Sequence, residues 1–355
     1  MGGAQSTDHS GGHRAWIGSF TSGGGRGITT AAVDPATGAL TPLTATDVLP
    51  DPSYLAHDPR TGVLYAVSEG EPGAVGAFEA TADGLRPLGP AVPVGGCGPT
   101  HLSLAGDRLL TANYTSGSIS SLPLAGDGAP GGPAAVLAHR GSGPDVDRQQ
   151  GPHAHQVLPD PSGRWVLATD LGTDSVRICA AHPATGSLRV HSETALRAGT
   201  GPRHLAFHPG GEVAYVLHEL EPQLTVCGWN ARSGRLEPLC EVPLASASAP
   251  GGVRAYPSAV VASPDGRFAW AAVRGADAIA TFTLADGARK PRLTGTVPCG
   301  GAWPRDLAVD PSGRRLYAAN EHSGDVTWFD VDPVTGEPRR AGSVAVPAAT
   351  CVVFG

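Results

Sequence analysis

Eight side chains able to move protons or hold anions fall at two matching places of a phrase that the chain repeats six times. The phrase reads PSYLAHDPRTGVLYAVSE, PTHLSLAGDRLLTANY, HAHQVLPDPSGRWVLATDL, PRHLAFHPGGEVAYVLHE, PSAVVASPDGRFAWAAVR and PRDLAVDPSGRRLYAANE. Aligned on the turn proline in its middle, the opening place holds Ser53, Thr100, His155, Arg203, Ser258 and Arg305, with Ala348 in a split seventh copy. The closing place holds Glu69, Tyr114, Leu171, Glu219, Arg274 and Glu321. An imidazole titrates near neutrality and suits proton transfer. Guanidiniums grip planar carboxylates and phosphates through two donors at once. The expected chemistry is therefore proton transfer on a small anionic molecule. Charged strand ends are often merely solvated, and such Arg–Glu pairs contribute less than about 1 kcal/mol. What favours function is convergence: both places lie on one face, around one concavity.

The stretch HRGSGPDVDRQQGPHAH interrupts the repeat just before His155. A long polar insertion beside such a site is expected to cover it, which makes Arg148 and Gln149 candidate ligand contacts. His153 and His155 form an H-x-H pair, but no third ligand of suitable spacing accompanies it, so neither metal nor cofactor is expected. His153 stays a candidate contact with Arg305, Glu321, Glu69 and Tyr114. Asp174, Asp277 and Asp325 precede the third strand of their copies, where a short polar side chain helps a turn; His57, His208, Asp58, Asp160 and Asp310 flank the turn prolines. All eight are read as structural.

The elements that position these residues follow from the period. Pro52, Pro99, Ala154, Pro202, Pro257 and Pro304 start copies of roughly fifty residues, the range of propellers and solenoids. The copy from Pro202 reads as strand HLAFH, turn, strand VAYVLH, loop, strand LTVCGW, the ARSG turn and strand LEPLCEV. Four short antiparallel strands per copy make a propeller blade. With 50 glycines and 33 prolines in 355 residues, helices are disfavoured. The N-terminus opens mid-copy: AWIGSF matches a second strand and GITTAAVDPATGAL a third strand with its turn. The missing first strand is at the other end, in PAATCVVFG after Pro347. The fold class is all-β, a seven-bladed propeller whose N- and C-terminal strands share one blade, which leaves no open sheet edge. Residues 14–355 form one domain, and residues 1–13 are a disordered leader.

The formal charge of −7, with basic residues scattered, argues against a nucleic-acid partner. No apolar run is long enough to span a bilayer, and the polar start lacks a signal-peptide core. Six widely spaced cysteines without a CxxC pair suit reduced thiols in a cytoplasm. Met1, Gly2 and Ser6 match a myristoylation pattern, but no polybasic second signal supports it. No exposed apolar stripe announces an interface, so oligomeric state stays open.

GSGPDVDRQQGPHAH, GTGPRHLAFHP with the glutamate of VLHE, YPSAVVASPDGRFAWAAVRG and WPRDLAVDPSGRRLYAAN together resemble the seven-bladed propeller lactonase family, which includes bacterial cytoplasmic 6-phosphogluconolactonases and fungal carboxy-muconate lactonizing enzymes. The resemblance covers Arg14 to Phe354. It implies that His155, Arg203, Glu219 and Arg274 are the catalytic cluster. One departure is Val273, where a polar residue usually precedes the arginine. By this resemblance the chain is a metal-independent lactonase for an anionic sugar lactone such as 6-phosphogluconolactone. His155 or Glu219 would move the proton, Arg203 and Arg274 would clamp the oxyanion or substrate anion, and Arg305 would add a contact. The same groups could run a cycloisomerase on a carboxylated molecule. A non-catalytic binding propeller is the remaining alternative, although no WD dipeptide occurs at any of the six tryptophans.

Overall fold

The structure is a computed structural model, which describes residues 13–244 and 254–355. The leader assigned to residues 1–13, apart from His13, and the myristoylation pattern lie outside the described residues. Seven antiparallel sheets stand in a ring. Six of them have four strands, and in the first complete blade a short Val92–Pro93 segment pairs beside Gly84–Pro87 on the third strand. The copy from Pro202 becomes strands Pro202–Phe207, Val213–His218, Gln223–Asn230 and Arg235–Pro243, matching the pattern read from the sequence. In the seventh blade, Arg14–Ser19 pairs with Ile28–Val33 on one side and the C-terminal Ala349–Phe354 on the other, and this closes the ring.

The apolar letters of each phrase fill the spaces between blades. Seven buried clusters occur among the described residues, each built from two neighbouring blades. Val213, Tyr215 and Leu217, for example, pack against Ala269, Ala271 and Val273. Second-strand aromatics tie four of these pairs together through their polar tips. Tyr65 donates to the Gly128 carbonyl, Tyr215 to Ala288, Tyr317 to Gly38 and Trp270 Nε1 to Gly336, all at 2.7–2.8 Å. A buried aromatic with a satisfied polar tip both fills volume and fixes blade register.

Register at the inner strands decides where the site residues point. In five blades the inner strand carries one residue more than its partner at the same place: Thr100, His155, Arg203, Arg305 and Thr350. A bulge bends the strand and breaks the alternation of side chains. Just before it the backbone turns left-handed at Gly98, Gly201, Trp303 and Ala348, with φ of 58°, 63°, 63° and 52°. This corrects the alignment of the seventh blade. Ala348 takes the left-handed place, so Thr350, and not Ala348, stands in the opening ring. Phe20, whose N–H donates to the Ala348 carbonyl, supplies the closing residue that the sequence left unassigned. Two of the three aspartates before the third strands stitch one blade to the next, while Asp325 accepts from Asn320 and Ser323 of its own blade. Asp174 accepts from the N–H groups of Gly199 and Gly201, and Asp277 from that of Trp303.

Candidate active site

Glu219 directly follows the second strand Val213–His218 and is the hub of the mouth. Arg203 Nε and Arg274 Nη2 lie 3.0 and 2.9 Å from its Oε2, and Arg148 Nη2 lies 2.6 Å from Oε1. His155 Nε2 is 3.9 Å from Oε2. Arg203 also donates to the Ser258 carbonyl, while Arg274 donates through Nε to Tyr256. His155, Arg203, Glu219 and Arg274 are all buried. Three residues from three blades, His155, Arg203 and Arg274, and one from the inserted loop thus converge on a single carboxylate.

The two partners of these ion pairs respond in opposite ways. Burial opposes the charge on Glu219, but Arg274, Arg203 and Arg148 outweigh it and hold the carboxyl well below the usual range. Burial and Arg274 push Arg203 down to about 9, and burial likewise lowers Arg274. Three cations sharing one carboxylate explain both results: the carboxylate has more counter-charge than it needs and the guanidiniums have less. Burial and the neighbouring Arg203, Arg305 and Arg274 hold His155 well below 6.5, so its ring is neutral at neutral pH.

Across the mouth, Arg305 Nη1 donates to Glu321 at 3.1 Å and its Nη2 lies 3.9 Å from Glu69, which also accepts from Ser53. Its guanidinium carbon sits 4.8 Å from the centre of the Phe20 ring. Here one cation serves two carboxylates. Burial raises Glu69 in spite of Arg305 and Ser53.

The inserted loop does lie over this face, with its parts in different roles. Arg148 reaches Glu219 and the Tyr114 hydroxyl. Gln149, expected beside the ligand, is fully buried and donates to the Leu171 carbonyl, pinning the loop. His153 stacks on Tyr114 at 4.4 Å, and its N–H donates to Asp170. Asp170 in turn accepts from His139 at 2.6 Å and Arg177 at 2.7 Å, a buried anchor that the repeat pattern did not single out.

A second tier beneath the mouth was also missed. His204, beside Arg203, packs 5.4 Å from His155 and 5.7 Å from His101, and His101 lies 4.2 Å from Tyr54. Asp306, beside Arg305, is buried, which pushes its carboxyl up to about 7. Strict alternation would turn these residues away from the axis; the bulge turns both neighbours inward. The signal was present as a polar letter directly after the variable one. Among the described residues, no cluster of His, Cys, Asp or Glu could hold a metal ion. No helix among them is long and apolar enough to cross a membrane. A surface cleft of about 790 Å³ opens at the other end of the blades, lined by Glu212, Trp229 and Arg232 among others, away from the converging charges.

The profile of the family described as lactonase, 7-bladed beta-propeller, matches residues 14–354. A 6-phosphogluconolactonase of Bacillus subtilis is 32% identical, over 96% of this chain and 97% of its own. A 6-phosphogluconolactonase of Pectobacterium carotovorum is 31% identical over 70% of this chain and 71% of its own. The solved periplasmic gluconolactonase of Pseudomonas aeruginosa superposes with a TM-score of 0.88 at 28% identity, covering 96% of this chain and 98% of that one.

Proposed function

The chain belongs to the seven-bladed beta-propeller lactonase family, and from that premise we propose that it hydrolyses an anionic sugar lactone of the 6-phosphogluconolactone kind at the mouth of the ring. The observation that carries this reading is the under-neutralised set of Arg203, Arg274 and Arg148 around Glu219. Two further negative charges balance it, one from a substrate anion and one from the oxyanion of ester opening. Relatives named 6-phosphogluconolactonase support the substrate class.

In the proposed reaction, His155 takes a proton from water as the oxygen bonds to the lactone carbonyl carbon. Glu219, 3.9 Å away, steadies the imidazolium. Its low affinity for protons makes it the partner of the base and not the base itself. Arg203 holds the oxyanion, and Arg274 reaches the substrate's own anion from the same side. The carbonyl then re-forms, the ring C–O bond breaks, and His155 returns the proton to the departing ring oxygen, giving the hydroxy acid. Arg148, half-buried at the loop, and Arg305 are assigned to the distal anion with Arg274. Tyr114 and His153 flank Arg148, and Glu69 and Glu321 orient Arg305. The proposed location is the cytoplasm, which cell fractionation tests.

Lactone hydrolysis should fall by about a hundredfold or more in Arg203→Ala and in His155→Ala, with circular dichroism unchanged. Wild-type rates in both would sink the reading. Product analysis with muconate-type acids separates hydrolase from cycloisomerase.

A further inference from the structure

Trp303 stands where other blades place a small or short residue. Gly98, Gly201, Asp51 and Ala348 hold the corresponding left-handed position, and Trp303 holds it at φ 63°. That conformation is least tolerable for a bulky side chain, and such outliers cluster where a site needs them. The backbone is pinned on both sides: the Trp303 N–H donates to Asp277 at 2.7 Å, and its carbonyl accepts from Glu321 N at 3.0 Å. The indole stacks on His322 at 4.6 Å with only 10° between the planes. The guanidinium carbon of Arg274 lies 5.4 Å from the ring centre.

Arg274 spends Nε on the Tyr256 carbonyl, and Nη2 on Glu219 and the Pro257 carbonyl. Among the described residues Nη1 donates to none. An indole face attracts a cation without using any of its N–H groups, so it can hold the guanidinium while leaving Nη1 for a ligand. We infer that Trp303 is a positioning residue of this mouth, fixing the Arg274 guanidinium through its indole face so that Nη1 is kept for the substrate anion. The assignment rests on the reading of Arg274 as an anion contact. It explains why a strained backbone is retained in this one blade with a large aromatic side chain.

The first test needs no substrate. The Nε–H resonance of Arg274, identified by its loss in Arg274→Lys, should exchange with water about two- to thirtyfold faster in Trp303→Leu than in wild type. Tryptophans carrying one, two and three ring fluorines, placed at 303 alone, keep the shape while draining the ring face. Exchange and the KM for 6-phosphogluconolactone should both rise stepwise along that series, with kcat moving less. Trp303→Gly relieves the left-handed backbone, so it should melt no lower than Trp303→Leu although Arg274 is freed in both. A flat fluorine series, or a glycine variant markedly less stable than the leucine one, would overturn the inference and leave Trp303 as packing. If the wild type opens no lactone, the functional reading fails, while the exchange series still decides the role of Trp303.

Discussion

The two halves of the mouth use the same blade positions with opposite charge arithmetic. Around Glu219 three guanidiniums share one carboxylate, and around Arg305 two carboxylates share one guanidinium. Counting full charges, the first half carries +2 and the second −1. The first is left wanting an anion; the second is internally over-supplied with acceptors, and Glu69, raised mainly by burial, is pushed further up by Glu321. Structural ion pairs would need no such asymmetry between equivalent sites. A propeller that opens an anionic ester does, because the charges of substrate and oxyanion must be met chiefly on one side.

Deleting the shared carboxylate should separate the halves most widely. Glu219→Gln strands two buried guanidiniums without their partner, and removing one member of a buried ion pair costs about 3–5 kcal/mol. Glu69→Gln leaves Arg305 its closer partner Glu321 at 3.1 Å, in a partly exposed setting where the loss is about 1 kcal/mol or less. Urea unfolding of the two variants at pH 7 measures the gap. Equal losses would show that the halves are energetically alike.

Acid should sharpen the same contrast. Glu69 has a raised folded pKa, so it takes up its proton first as pH falls, and what it contributes to stability is lost as pH rises through that pKa. Glu219 is depressed; its contribution is present above the ordinary glutamate value and disappears only as pH drops through its much lower folded pKa. The histidines move the other way. His155 and His204 are held well below 6.5 by burial and then by Arg203, and burial brings His101 and His218 to about 3. Below 6.5 the unfolded chain binds protons that the native one refuses, so stability should fall by about 1.4 kcal/mol per pH unit for each such histidine. Carboxyl carbon resonances titrated by NMR should place Glu69 above Glu219, and urea midpoints should decline from pH 6.5 downward. A flat midpoint between pH 6.5 and 5 would contradict the buried, neutral imidazoles.

The blades were legible because an apolar strand of period two followed by a proline or glycine turn has few other readings, and the split seventh blade because its missing strand stood at the other terminus. His155, Arg203, Glu219 and Arg274 were legible for the same reason: identical register carries them to one face. What escaped depends on the bulge, whose one mark in the sequence is a polar letter directly after the variable one. It sent His204 and Asp306 inward beside Arg203 and Arg305, and it shifted the seventh blade so that Thr350 replaced Ala348. Gln149 looked like a ligand contact because polarity does not distinguish a side chain facing a mouth from one pinning the loop above it.

The smallest expected effect compares two left-handed residues at the same blade position, one beside each half. Ala348 sits at φ 52°, with its carbonyl accepting from Phe20, whose ring lies under Arg305. Its methyl group meets the left-handed penalty, and nothing about Arg305 requires that methyl. Ala348→Gly removes the penalty at the expense of a more flexible unfolded chain, so the variant should be about 0.5–1 kcal/mol more stable, with lactone hydrolysis unchanged. Thermal melting and a rate assay on the same preparation check both. A loss of activity there would mean that the Arg305 half depends on its strained neighbour as the Glu219 half is inferred to depend on Trp303. Stability gained without cost at 348, set against ordering lost at 303, would show that the left-handed strain serves only the Glu219 half.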